Sequence, residues 1–138
     1  MLARFLGPRV DIAYALLRIV AGLMFSVHGM QKLFGVFTEK APVAFGTQRW
    51  LGGVIELGTG LAIAAGVRTT WAAFLASGTM AVAYIQFHWK FQLGAQLVPA
   101  VNTGELALLY SFLFLFFACR GAGIWSVDRK FGRSHGGG

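Results

Sequence analysis

Cysteine is nearly absent: Cys119 stands alone in 138 residues. An internal disulfide, a CxxC redox pair and a cysteine-rich zinc site are therefore excluded. So is intramolecular dithiol chemistry of the kind used by four-helix quinone-linked disulfide-forming enzymes. A lone thiol late in an apolar run reads as a small buried hydrophobe. Acidic residues are almost as scarce, five against twelve Lys and Arg, for a net charge of +7. Charged residues make up 12% of the chain, where an average soluble domain carries about 25%. With 57% hydrophobic residues and a mean hydropathy of +0.65, a water-soluble fold would be left exposing apolar surface. No nucleotide-binding fingerprint is present either.

What the chain does have is four apolar runs, at 12–34, 50–66, 71–88 and 103–119. A membrane-spanning helix needs about 20 residues, so the second and fourth are at the short end. The expectation is a single all-α domain over 1–132, an integral membrane four-helix bundle, followed by a disordered tail over 133–138. Pro8 falls at the start, and Pro42 and Pro99 in the two long connections. Trp50, Trp71, Trp89 and Trp125 lie at the run ends, where an aromatic belt places them. The basic residues sit at run ends rather than in one patch, which argues for membrane topology and against nucleic-acid binding. The N-terminal run is too long, and too interrupted by Arg18 and His28, for a cleaved leader, so it reads as the first span.

The connection between the second and third runs is only a few residues and forces an antiparallel hairpin. Both termini and this turn then share one face, which carries Arg4, Arg9, Arg68, Arg120, Arg129, Lys130 and Arg133. The other face carries Lys32, Lys40, Arg49 and Lys90. Seven against four puts both termini in the cytoplasm of a multi-pass cell-membrane protein. Arg18, two turns inside the first run, is expected to snorkel to the cytoplasmic interface.

Alternating direction brings the ionisable residues of all four runs to the outer leaflet. His28, Gln31 and Lys32 share one helical face by their i, i+3, i+4 spacing. Glu56 lies about 9 Å into the second run at 1.5 Å per residue. Tyr84, Gln86 and His88 close the third run and Glu105 opens the fourth. Titratable groups in hydrocarbon cost roughly 2.5–3.5 kcal/mol each on insertion scales, so they mark function or a buried partner. Glu56 is expected to pair with Lys32 or His28, and Glu105 with His88 or its neighbours. The plain alternative is that these pairs only lock the bundle. His28 and His88 as axial haem ligands are a weaker reading, because both lie near the rim and carboxylates crowd the site; His28, His88, Glu56 and Glu105 around zinc or iron are weaker too, because no EXXH pairing lies on one helix. Glycines such as Gly53 and Gly60, on the same face as Glu56, allow neighbouring helices to approach closely.

Several segments together resemble the DoxX-like membrane proteins. They are Leu16-Leu17-Arg18-Ile19-Val20-Ala21-Gly22, His28-Gly29-Met30-Gln31-Lys32-Leu33-Phe34-Gly35 and Gly53-Val54-Ile55-Glu56-Leu57-Gly58, followed by Asn102-Thr103-Gly104-Glu105-Leu106-Ala107-Leu108-Leu109-Tyr110 and Trp125-Ser126-Val127-Asp128. The resemblance covers nearly the whole chain and implies a four-helix membrane bundle. Relatives in that group include small subunits of thiosulfate:quinone oxidoreductases, and also chaperones, cargo receptors and anchors for redox complexes. The expectation that follows is a redox-associated membrane subunit binding a quinone at the outer-leaflet cluster. His28, Glu56 and Glu105 are its expected catalytic groups. His28, Lys32, Gln31, Tyr84 and His88 are expected to hold the cofactor, and no metal is expected. The partners would be membrane lipid and either a second copy or a larger membrane redox complex. A non-catalytic anchor or assembly factor is the second reading, and a small-solute transporter the third.

Overall fold

The computed structural model describes residues 1–132; the tail expected to be disordered lies outside them. Among the described residues the chain is helical with no strand. Helix α1 (Leu2–Leu6) runs through a 3-10 turn at Gly7–Arg9 into α2 (Val10–Phe34). Then come α3 (Gln48–Ala65), α4 (Thr69–Ala83), α5 (Glu105–Arg120) and the short α6 (Val127–Gly132). A π-helical turn at Tyr84–Trp89 extends α4. The four long helices match the four apolar runs to within a few residues. The helix Leu2–Phe34, 33 residues with an 18-residue window of mean hydropathy 1.8, is long and apolar enough to cross a membrane. By that same test of length and hydropathy it is the one such helix among the described residues.

The helices pair as α2 with α3 and α4 with α5, with a looser contact between α3 and α4. Small residues make the first pairing possible. A methyl group built on Gly22 would sit 2.6 Å from the Gly60 oxygen, and one on Gly60 2.6 Å from the Ser26 nitrogen. Ala15, Gly22 and Gly29 recur every seven residues on the buried side of α2, so the backbones themselves touch. The two pairs join through aromatic rings. Phe25 packs on Phe114 (4.7 Å between centroids) and Tyr110 (5.4 Å), and Tyr14 meets Phe117 edge-on at 5.5 Å.

Polarity is inverted relative to a soluble helix. The buried side of α2 carries Arg18, Gly22 and Ser26, whereas Leu16, Leu17, Val20, Leu23 and Met24 face outward. On α5 the outward residues are Leu106, Leu109, Phe112, Leu115 and Phe116. Apolar patches of this extent need an apolar surrounding or a partner surface to cover them. Cys119, expected to be buried, is exposed among these residues.

Arg18 corrects a second expectation, because it does not snorkel. It is fully buried, and its guanidinium donates to the carbonyls of Ile63 (2.5 Å), Ala64 (2.8 Å) and Trp125 (2.7 Å). The last turn of α3 leaves carbonyls without helical partners, and the forked guanidinium can reach two segments at once. It thereby ties the end of α3 to the chain that follows α5. Asp128 completes the clasp. Its carboxylate accepts from the amides of Arg68 (2.7 Å) and Thr69 (2.9 Å) and from the Thr69 hydroxyl, capping the start of α4. With the ion pair of Arg120 and Asp11 and the Tyr14 hydroxyl on the Gly121 carbonyl, both chain ends and the α3–α4 turn are fastened at one end of the bundle.

Candidate functional site

At the opposite end the looser α3–α4 contact leaves a cavity of about 1050 Å³. Its depth is set by α2 and α5, which contribute Phe25, His28, Lys32, Ala107 and Tyr110. Its flanks are Leu51, Ile55 and Glu56 of α3, and Trp71, Phe74, Leu75, Thr79 and Val82 of α4. Leu51, Trp71, Phe74, Leu75 and Val82 are also exposed on the outer surface. The cavity is therefore a lateral slot, open between two helices towards the apolar exterior. Gln48 reaches across its upper mouth to Gln86 (2.5 Å), and Arg49 lies over the Phe87 ring, 5.5 Å from its centroid.

Glu56 is the most constrained polar group in this wall. It is 1% exposed; one carboxylate oxygen is paired with the Lys32 ammonium, and the other, Oε2, is buried without a partner. Antiparallel packing of α2 and α3 explains the pairing, because Lys32 near the end of one helix falls beside the third turn of the other. Lys32 itself remains 37% exposed. Tyr110 also presents a buried hydroxyl with no partner, and its ring meets the His28 ring edge-on at 6.4 Å. A buried polar group without a hydrogen bond costs about 1–3 kcal/mol; Glu56 Oε2 and the Tyr110 hydroxyl are both closed to solvent, and Arg18 Nε, outside the cavity, is a third such atom.

Of the residues singled out in the sequence, His28, Lys32, Glu56 and His88 line the cavity, and Gln31, Tyr84 and Glu105 do not. Gln31 donates to the Phe37 carbonyl and holds the connection after α2. Tyr84 is taken up by Asn102, whose Nδ2 donates to the tyrosine hydroxyl (3.1 Å) while its Oδ1 accepts from the Gly104 amide (2.8 Å). The tyrosine ring lies so close over Gly104 that an added methyl would sit 2.6 Å from it. Those contacts give the Asn102-Thr103-Gly104 turn a packing role. The expected Glu105–His88 pair does not form. Glu105 is exposed at the start of α5, beside Pro99, Leu109 and Phe112, and His88 Nδ1 meets the Thr103 hydroxyl at 3.5 Å. The π-turn contributes to this difference, since its wider winding rotates the side chains that follow Tyr84 away from an α-helical register. Among the described residues no three His, Cys, Asp or Glu side chains gather as a metal-ligand group.

Sequence reasoning missed Tyr110 and Arg18. Helix α5 is apolar on every side, so no periodicity distinguished its buried face. The partners of Arg18 are backbone carbonyls, one of them more than a hundred residues away.

Residues 13–89 match the DoxX family. A protein of Haemophilus influenzae (strain Rd), described as uncharacterized, is 42% identical over 120 residues, which cover 85% of this chain and 89% of the relative. No solved structure matches the chain. The matched segment contains α3, α4 and nearly all of α2, with His28, Lys32, Glu56 and His88, and the chain belongs to the DoxX family of small membrane proteins.

Proposed function

We propose that this protein crosses the membrane four times and binds the ring of a lipid-soluble quinone in the lateral cavity, as a subunit of a membrane redox complex. At 1.5 Å per residue α3 is about 27 Å long and α5 about 24 Å, close to a hydrocarbon core of about 30 Å. Trp50 and Trp71 near helix ends suit the interface. The observation that carries the reading is the buried Glu56–Lys32 pair, with one carboxylate oxygen unpartnered, in a slot whose mouth faces the apolar exterior. An apolar cavity with a few convergent polar groups suits a flat hydrophobic ligand with polar oxygens. Lys32, His28 and Tyr110 can donate to carbonyls. Reduction of a quinone takes up two electrons and two protons, and Glu56 is placed to pass a proton. The chain has no dithiol, so the electrons come from a partner or an external donor.

The assembly-factor reading draws on the outward aromatic ridge of Phe112 and Phe116, which could face a partner instead of lipid. One preparation separates the two. Protein purified natively in mild detergent is extracted and assayed for quinone by mass spectrometry, and reduced donors are tested for quinone-dependent turnover. A retained quinone is the expected result. A stoichiometric protein partner with no quinone and no turnover would replace this reading with the assembly factor.

A further inference from the structure

We propose that the fastened end binds anionic phospholipid headgroups, at the corner where the α3–α4 turn meets α6 and where Arg68, Arg129 and Lys130 stand together. The backbone gathers them. The Asp128 amide donates to the Gly66 carbonyl (2.9 Å), and the Asp128 carboxylate accepts from the Arg68 amide (2.7 Å). Arg129 and Lys130 follow directly, with about 3.8 Å between consecutive Cα atoms. All three side chains are exposed. Among the described residues no carboxylate pairs with them. The chain has five acidic residues, of which Asp11 and Asp128 lie at this end. Asp11 is taken by Arg120, and the Asp128 oxygens by the Arg68 and Thr69 amides and the Thr69 hydroxyl. Like charges gathered without a counter-charge repel, and a bound anion relieves that repulsion.

The neighbours of these cations point to the kind of anion. Trp71 in the first turn of α4 and Trp125 just ahead of α6 are both exposed. Indoles beside cations suit the boundary between hydrocarbon and headgroups. Arg68 and Trp125 also hold left-handed backbone, with φ of 45° and 53°, a strained conformation that glycine adopts freely. The clasp enforces it, since Asp128 takes the Arg68 amide and the Trp125 carbonyl accepts from Arg18 (2.7 Å). The strain is thus kept at an exposed cation and an exposed indole. A free phosphate would use the cations alone, whereas a phospholipid uses both. The inference rests on the membrane crossing proposed above and is independent of what the cavity holds.

Native mass spectrometry of the full chain tests this, with phosphatidylglycerol and phosphatidylethanolamine of identical acyl chains supplied in equal amounts to the detergent micelle. Each basic residue near an anionic surface favours it roughly fivefold, so phosphatidylglycerol should be retained at least about tenfold better. The preference should weaken as salt rises. Arg68→Gln, Arg129→Gln and Lys130→Gln combined should bring the ratio near unity, with the melting temperature close to the parent's because these side chains are exposed. Arg68→Lys with Arg129→Lys should keep the preference, as should Lys40→Gln with Lys90→Gln at the cavity end. A ratio near unity in the parent, a preference that survives the triple change, or one lost equally with Lys40 and Lys90 overturns the inference. Equal stabilisation by free glycerol 3-phosphate also overturns it, by making the corner a site for a soluble anion. If neither lipid is retained, the membrane crossing itself falls, and the inference with it.

Discussion

Glu56 and Lys32 show how exposure decides the energetics of a charge pair. Breaking a buried pair by removing one partner typically costs about 3–5 kcal/mol. Here only the carboxylate is buried, and the ammonium left behind by Glu56→Gln can rehydrate through the cavity mouth. The loss of stability should therefore fall below that range, about 1–2 kcal/mol. The amide keeps the shape but has no titratable proton. We expect Glu56→Gln to insert and assemble near normally and to lose quinone-linked turnover. Adding Lys32→Met should restore the melting temperature in detergent without restoring turnover. Full turnover of the single variant at normal abundance would remove Glu56 from proton transfer. Tyr110 belongs to the same scale. Tyr110→Phe deletes a hydroxyl that has no partner in the protein, so its melting temperature should match or slightly exceed that of the parent. Any loss should appear in ligand affinity, and a marked drop in stability would mean that the hydroxyl is satisfied within the fold.

Among the elements, the α2–α3 pair and the terminal clasp set the geometry that the site depends on. A methyl on Gly60 meets backbone atoms of Ser26 and Gly22, which cannot yield, whereas one on Gly58 in the same helix meets nothing within 4 Å. Gly60→Ala should lower the melting temperature and widen the slot. Gly58→Ala should be neutral or stabilise by about 0.5–1 kcal/mol from helix propensity alone; equal effects of the two would mean that the backbones do not touch. The clasp is also sensitive to pH. Burial raises the Asp128 carboxyl pKa, but hydrogen bonds from the Thr69 and Arg68 amides and the Thr69 hydroxyl, with nearby Arg18, outweigh it and hold the pKa below the usual carboxylate value. A depressed folded-state pKa stabilises the fold above the unfolded value, and this is lost as pH falls through the folded one. The melting temperature should thus drop on acidification below the ordinary carboxylate range. In Asp128→Asn, which keeps one acceptor oxygen and has no carboxyl to titrate, that part of the drop should be absent. An unchanged acid profile in the variant would place the titration elsewhere. The helices were legible in the sequence because hydrophobic runs and their Gly, Pro and Trp boundaries are local signals. The Glu56–Lys32 pair was legible because alternating direction fixes depth. The clasp was not, because Arg18 and Asp128 bind backbone groups of distant segments, and side-chain pattern carries no trace of a carbonyl or an amide.

For the whole molecule, the two ends differ in charge and connection length, and on the proposed four-span reading that difference predicts an orientation. The fastened end carries Arg4, Arg9, Arg68, Arg120, Arg129 and Lys130. Its two acidic groups are already engaged, Asp11 by Arg120 and Asp128 by the start of α4. The cavity end carries Lys32, Lys40, Arg49 and Lys90, and Lys32 is neutralised by Glu56. Six basic residues on the side of the termini thus stand against four on the cavity side. If the chain crosses the membrane four times as proposed, that asymmetry is expected to retain this side in the cytoplasm. On that reading the slot would open in the outer leaflet. Cysteine accessibility tests this directly. Cys119 is exposed on the helix surface, so it is first replaced by serine, and single cysteines are then placed at Lys40 and at Arg68. A membrane-impermeant maleimide applied to intact cells should label position 40 and spare position 68 until the cells are opened. Labelling of 68 and protection of 40 would invert the protein, move the cavity to the cytoplasmic leaflet and assign its proton exchange to the cytoplasm. Labelling of both from outside would mean that the termini and the long loops are not separated by a bilayer, and the four-span reading would fail.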